Sequence, residues 1–223
     1  FRLRRVAAHP PLLDTRVFRT SGTSDGVLAR GSHAFRTLAT YETAALSAGR
    51  ELLLGGVKPT HVLRLTPSAV ELPDSSLSFM VDLFTNDLGI QSRHALDASF
   101  RLQMDAAMEA LVRAELSEEP TIVFGTAFAY KFLLDALDEQ RFTLAPESRV
   151  MLTGGFKGKS REVPEAELRR ALGEVLGVPP SRMIGEYGMT ELSSQLYEPR
   201  LAGEAVIDGT YRPPPWMCVA AAD

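Results

Sequence analysis

Arg149-Val150-Met151-Leu152-Thr153-Gly154-Gly155 is a short apolar run that opens directly into a pair of glycines. The next stretch is helical in pattern. Pro164 suits a helix start, Leu168, Leu172, Val175 and Leu176 keep one buried stripe, and Gly177 supplies a stop. Strand, glycine turn and helix in that order form the unit from which parallel sheets are built. The same alternation extends in both directions. Downstream, residues 183–185 read as a strand running into Glu186-Tyr187-Gly188, and residues 216–221 as one more strand behind the stiff connector 213–215. Upstream, residues 121–124 read as a strand that turns at Gly125 into an apolar helix over 127–137. His61 to Leu65 forms another strand, ended by Pro67. Ser75 or Ser76 caps a helix carrying Leu77, Met80, Val81, Phe84 and Leu88. Asp97 is expected to cap the helix that holds Phe100, Met104, Met108, Leu111 and Val112. Leu38, Tyr41, Ala45, Leu52 and Leu53 share a helical face, and Arg16 to Arg19 is a shorter strand. The fold class expected is α/β, a layered parallel or mixed sheet with helices on both faces.

Composition narrows the function classes. With 24 basic and 28 acidic residues among 223, the net charge of −4 argues against a nucleic-acid binder that relies on bulk positive charge. No run approaches the roughly 18 apolar residues of a membrane span. The single cysteine, Cys218, excludes an internal disulfide and a cysteine-rich metal site; its apolar Trp-Met-Cys-Val setting predicts a buried structural thiol. A cytoplasmic setting is the expectation. Phe1 and Asp223 read as cut ends, so residues 1–223 are expected to be the core of a longer protein.

Three segments carry candidate chemistry. Residues 18–26, Phe-Arg-Thr-Ser-Gly-Thr-Ser-Asp-Gly, alternate small hydroxyls with glycine, which suits a loop that wraps phosphate with amide and hydroxyl donors. It has neither the Gly-Lys-Ser/Thr ending of a Walker loop nor a nucleophile elbow, and it also reads as an ordinary surface loop. Residues 153–161, Thr-Gly-Gly-Phe-Lys-Gly-Lys-Ser-Arg, would let a flat base or ribose lie against the paired glycines with basic residues close by; a tight turn with a basic rim fits equally. Residues 185–191, Gly-Glu-Tyr-Gly-Met-Thr-Glu, offer a ring for a base, a hydroxyl for a phosphate and a carboxylate for a magnesium ion. A Tyr-Gly turn beginning a helix is the alternative. In open α/β sheets ligands lie beyond the carboxyl ends of the strands, where the second and third segments fall.

Taken in order, Thr20-Ser21-Gly22-Thr23 resembles the phosphate loop of the adenylate-forming superfamily, and Tyr187-Gly188-Met189-Thr190-Glu191 its Tyr-Gly-x-Thr-Glu motif, about 165 residues on, with the Gly-Gly turn between. Within that superfamily, residues 30–33, 73–80, 153–163 and 186–195 look like the acyl-protein synthetases typified by the fatty-acid-activating component of bacterial luminescence (LuxE-like). Phenylacetate-CoA ligases share the loop and the Tyr-Gly-x-Thr-Glu element. The resemblance implies the nucleotide- and acyl-binding core of the large N-terminal domain, with the small C-terminal domain absent. It assigns Thr20, Ser21, Gly22 and Thr23 to the ATP phosphates, Gly154 and Gly155 to the border of the adenine, and Tyr187-Gly188 to its face. Thr190 would meet the α-phosphate and Glu191 would hold Mg2+. The implied activity converts a carboxylic acid, in this branch a fatty acid, to an acyl-adenylate and passes the acyl group to a protein thiol. Coenzyme A as acceptor, or a degenerate nucleotide-binding module, are the alternatives.

The sequence departs from that pattern after the loop. No lysine follows it, so Arg30 is the nearest basic candidate for the phosphates, and Asp25 adds negative charge beside the loop. Asp208 does not match the superfamily's ribose motif. The acid is expected between the helix near residues 79–88 and the turn near 125–130, lined by Phe124, Phe128 and Tyr130, which otherwise serve as core. His94 is expected at the surface, while His33, directly behind the Ser/Gly loop, stays open.

Overall fold

The computed structural model describes residues 5, 7–20, 30–154, 163–202, 206–207 and 209–220. Among them, a five-stranded sheet runs in the order β3 (His61–Leu65), β4 (Thr121–Thr126), β5 (Arg149–Thr153), β6 (Met183–Gly188), β7 (Gln195–Tyr197). The first four strands are parallel and β7 closes the edge antiparallel to β6. A separate antiparallel hairpin, β1 (Arg16–Arg19) and β2 (Ser32–Phe35), brackets the Ser/Gly-rich segment. The fold is a mixed α/β sheet with helices on both faces, as the alternation of elements predicted.

Every residue of β4 and β5 is buried, as expected for parallel strands covered twice. Side-chain alternation then splits the core in two. Leu63, Leu65, Val123, Val150, Leu152 and Met183 face one layer, built from α3 (Met104–Ser117), α4 (Ala127–Leu137) and α5 (Glu165–Leu176). Val62, Ile122, Phe124, Met151, Ile184 and Tyr197 face the other, built from α1 (Ala39–Ala48), a π-helical turn over Gly49–Leu54 and α2 (Ser76–Asp87). The Ser75 hydroxyl caps α2 by accepting from the Ser78 N–H, and Gly177 ends α5 at φ +68°.

Several expectations fail locally. Asp97 caps no helix. Its carboxylate accepts from the N–H groups of Ser99 and Arg101 in a turn where Phe100 takes φ +60°, and α3 begins only at Met104. Gly125 lies inside β4, and Thr126 is the cap of α4; a Cβ on Gly125 would stand 2.9 Å from the Tyr130 ring, so close packing rather than a turn explains the glycine. Residues 216–220 are not a strand, because no strand of the described residues pairs with them; Trp216 and Val219 are exposed. Cys218 is exposed rather than buried for the same reason. The aromatics expected to line an acyl pocket are core: Phe124 packs on one face of the sheet, Phe128 and Tyr130 on the other. Tyr130 spends its hydroxyl on the carbonyls of Met151 (2.7 Å) and Val123 (3.0 Å).

Candidate functional site

The carboxyl ends of β5 and β6 bring the second and third motifs together. Thr153 and Glu186 are register partners across the two strands, so Gly154 emerges beside Tyr187. Alternation along β6 sends Gly185 toward α5 and Glu186 toward the α1 side. A Cβ on Gly185 would strike Glu198, the partner of Arg169 on α5, while the Tyr41 phenol on α1 is raised in pKa by burial and, secondly, by the charge of Glu186. Tyr187 is half exposed near the end of β6, its ring 5.7 Å from that of Tyr211. At the ends of β5 and β6 a cavity of about 150 Å³ is lined by Gly154, Leu152, Gly185, Glu186, Leu168 and Tyr211. No helix comes after Tyr187-Gly188. The chain makes a turn through Thr190 and Glu191, both half-buried, and returns as β7.

The first motif is described only at its base. Ser21, Gly22 and Thr23 lie outside the described residues, as does Gly155. Thr20 and Gly31 close the loop's two ends on each other: the Thr20 N–H donates to the Gly31 carbonyl (2.9 Å), and the Gly31 N–H to the Thr20 hydroxyl (2.8 Å). Arg30 is engaged at this base. Its Nε donates to the Thr20 carbonyl (2.6 Å) and its Nη1 pairs with Asp74 (3.0 Å), whose carbonyl accepts from the Arg19 N–H (2.8 Å). Asp74 therefore buttresses both flanks of the loop, with Arg30 as the link.

The hairpin also reaches the third motif directly. His33, opposite Phe18 in β1–β2, lies with Nε2 2.7 Å from the Ser193 hydroxyl, two residues beyond Glu191. Burial lowers the His33 pKa and the charge of Glu191 opposes that shift. The structure thus joins the strand behind the Ser/Gly segment to the turn of Thr190 and Glu191, positions that are far apart in the chain. His94 is not the surface residue expected: its Nδ1 faces the Thr66 carbonyl (2.8 Å) and its Nε2 faces Asp82 (3.1 Å), in a cluster with Arg64 on the far edge of the sheet.

Sequence reasoning passed over four residues here. Glu186 is 5% exposed, and burial pushes its carboxyl up to about 7 against the opposing hydrogen bond from Thr153. Glu198 is wholly buried. Burial alone would raise it, yet Arg200, the N–H groups of Gly209 and Gly185, and Arg169 hold it down to about 2. Tyr211 and Ser193 complete the set. Glu186 falls in the third segment with no role assigned, just past a strand expected to end at residue 185; β6 carries on through it to Gly188, and pairing across the sheet supplied the rest.

No family model matches the sequence, and no curated protein matches it. Among solved structures the chain is similar to an adenylation domain of a keto acid-selecting NRPS module bound to keto acyl adenylate, at 15% identity and a TM-score of 0.49. The match covers 86% of this chain and 32% of that one, so the chain spans about a third of its length. A likeness of this size establishes neither activity nor ligand. Among the described residues no cluster of three or more His, Cys, Asp or Glu could hold a metal on its own, and no helix is long and apolar enough to cross a membrane.

Proposed function

We propose that the chain is the nucleotide-binding core of an enzyme that activates a carboxylic acid with ATP, forming an acyl-adenylate. One observation supports the reading best: β5 and β6 pair with Thr153 opposite Glu186, so Gly154 and the segment that begins at Tyr187 leave the sheet side by side at its carboxyl edge, where a cavity of about 150 Å³ is lined by Gly154, Gly185 and Tyr211. That is where ligands of parallel sheets bind. Tyr187 and Gly154 flank the base, and Tyr211 extends the aromatic wall. Thr190 donates to the α-phosphate. Glu191 is the one acidic side chain of the turn, which suits Mg2+, an ion that takes one or two carboxylates and completes its shell with phosphate oxygens and water. When bound, that ion offsets the charge gathered on the phosphate oxygens as the carboxylate attacks and pyrophosphate leaves. The protein needs no base for this step, because the nucleophile is already an anion.

The finer reading is an acyl-protein synthetase of the LuxE-like kind, delivering a fatty acyl group to a protein thiol, with a CoA ligase as the alternative acceptor chemistry. A degenerate binding module is favoured by one observation, the engagement of Arg30 by Thr20 and Asp74 in place of a free cation at the loop. Exchange of labelled pyrophosphate into ATP by the full-length protein, across fatty and aryl acids, decides among them. Acid-dependent exchange that falls at least a hundredfold in Glu191→Ala, on the order of 3 kcal/mol of transition-state stabilisation, is the expected result. A folded protein that binds ATP but exchanges with no acid sinks the enzyme reading.

A further inference from the structure

Ser193 and His33 form a pair that adenylation does not use. The Ser193 hydroxyl is 2.7 Å from His33 Nε2, inside the range in which an imidazole can take a proton from an attacking hydroxyl. Serine is a weak nucleophile without such a base, and neither residue is needed to bind phosphate. Ser193 also sits at φ +53°, a left-handed conformation that side chains rarely adopt. Among the described residues, three other non-glycine positions share that region: Glu118 and Asp138 lie just past the ends of helices, and Phe100 lies in the turn tied by Asp97. Only Ser193 among them stands at the carboxyl edge of the sheet, half-buried and two residues past Glu191. Backbone outliers of this kind gather at functional sites.

We propose that Ser193 is an acyl-accepting nucleophile activated by His33. This rests on the adenylate-forming reading, which supplies the acyl donor. In the mixed anhydride the carbonyl carbon is two bonds from the α-phosphorus, so a nucleophile on the same turn as the phosphate-contacting Thr190 is within reach. His33 Nε2 takes the Ser193 proton as Oγ bonds to the carbonyl carbon. The bond from that carbon to the phosphate oxygen then breaks. AMP leaves with the electron pair, His33 returns its proton to solvent, and an oxygen ester remains on Ser193. The ester is the form from which the acyl group passes to a thiol or to water.

The test is peptide mapping by mass spectrometry on the full-length protein. One arm supplies ATP, Mg2+ and decanoic acid; a second supplies p-nitrophenyl decanoate, a donor that needs no adenylation. The expected result in both is acyl mass on the Ser193 peptide that survives neutral hydroxylamine, as oxygen esters do. Ser193→Ala loses it, Ser193→Cys restores a hydroxylamine-labile label, and His33→Asn lowers the labelling rate at least tenfold. Ser194→Ala, a neighbouring hydroxyl bonded to the Trp216 ring N–H, keeps the label. Label on Cys218, or none on the protein in either arm, overturns the proposal. Label on Ser193 from the ester alone, without pyrophosphate exchange, upholds Ser193 and removes the adenylate reading instead.

Discussion

Glu198 and Glu186 lie at the same strand junction, one toward α5 and the other toward α1, both almost wholly out of water. Burial pushes any carboxyl toward its neutral form. Glu198 resists because donors surround it: Arg169 at 2.8 Å, Arg200 at 2.8 Å, the Gly185 N–H at 2.8 Å and the Gly209 N–H at 2.9 Å. Glu186 receives a hydrogen bond from Thr153 and otherwise faces the phenols of Tyr41 and Tyr197, whose charged forms its own charge disfavours. One carboxyl is held at about 2 and the other rises to about 7. Depth is nearly equal, so the number and charge of the donors decides which glutamate stays ionised.

The largest expected effect comes from emptying the well-partnered side. Glu198→Ala leaves Arg169 buried without its buried counter-charge, a loss of about 3–5 kcal/mol in urea unfolding at neutral pH. A change under about 1 kcal/mol would mean that Glu165, 2.6 Å from Arg169, carries the charge alone and that the two regions are more alike than their geometry. The second effect is one of pH and has opposite sign on the two sides. Glu198, lowered from an ordinary 4.5, lends stability at neutral pH that disappears as acid takes the solution from about 4.5 toward 2. Glu186, raised from 4.5 to about 7, holds its proton in the folded state where the unfolded chain has lost it. Its contribution is therefore full below 4.5 and declines as pH rises to about 7. That amounts to on the order of 3 kcal/mol. Glu186→Gln is expected to match wild type near pH 4 and to exceed it at pH 8. Parallel stability curves for the two proteins would show Glu186 ionising as it does in solution.

Much of the frame was legible from residue pattern. β3 and β5 fall where their apolar runs begin and end, and α5 is bounded by Pro164 and Gly177 as their chemistry requires. The helix stop at Gly177 is read from one residue's freedom at positive φ, a local property. What stayed hidden depends on which strand lies beside which. Thr153 and Glu186 look unrelated until β5 and β6 pair in register. Ser193 gains meaning only when the β1–β2 hairpin places His33 against it. Asp97 misled because a carboxylate bonding successive N–H groups serves a turn as readily as a helix start. The aromatics at 124, 128 and 130 misled because a strand that passes into a helix delivers them to opposite faces of the sheet.

Thr153 offers the smallest and sharpest way to separate the two glutamates. Thr153→Val keeps the shape of the side chain and removes the hydroxyl that bonds Glu186. Because that bond favours the charged carboxylate, its loss is expected to carry the Glu186 pKa further up, toward the alkaline side of 7. The net cost at pH 5 should be modest, about 1 kcal/mol, since a neutral carboxyl loses one hydrogen bond and no ion pair. At pH 8 the cost should grow, because a charged Glu186 would then have no donor from Thr153. Acid-side stability, governed by Glu198 on the other face, should not move. Comparing the two proteins by urea unfolding at pH 3, 5 and 8 reads all of this at once. A penalty that is the same at all three values would show that Thr153 stabilises the sheet by packing alone, and that Glu186 owes its protonation to burial and not to the Thr153 hydroxyl.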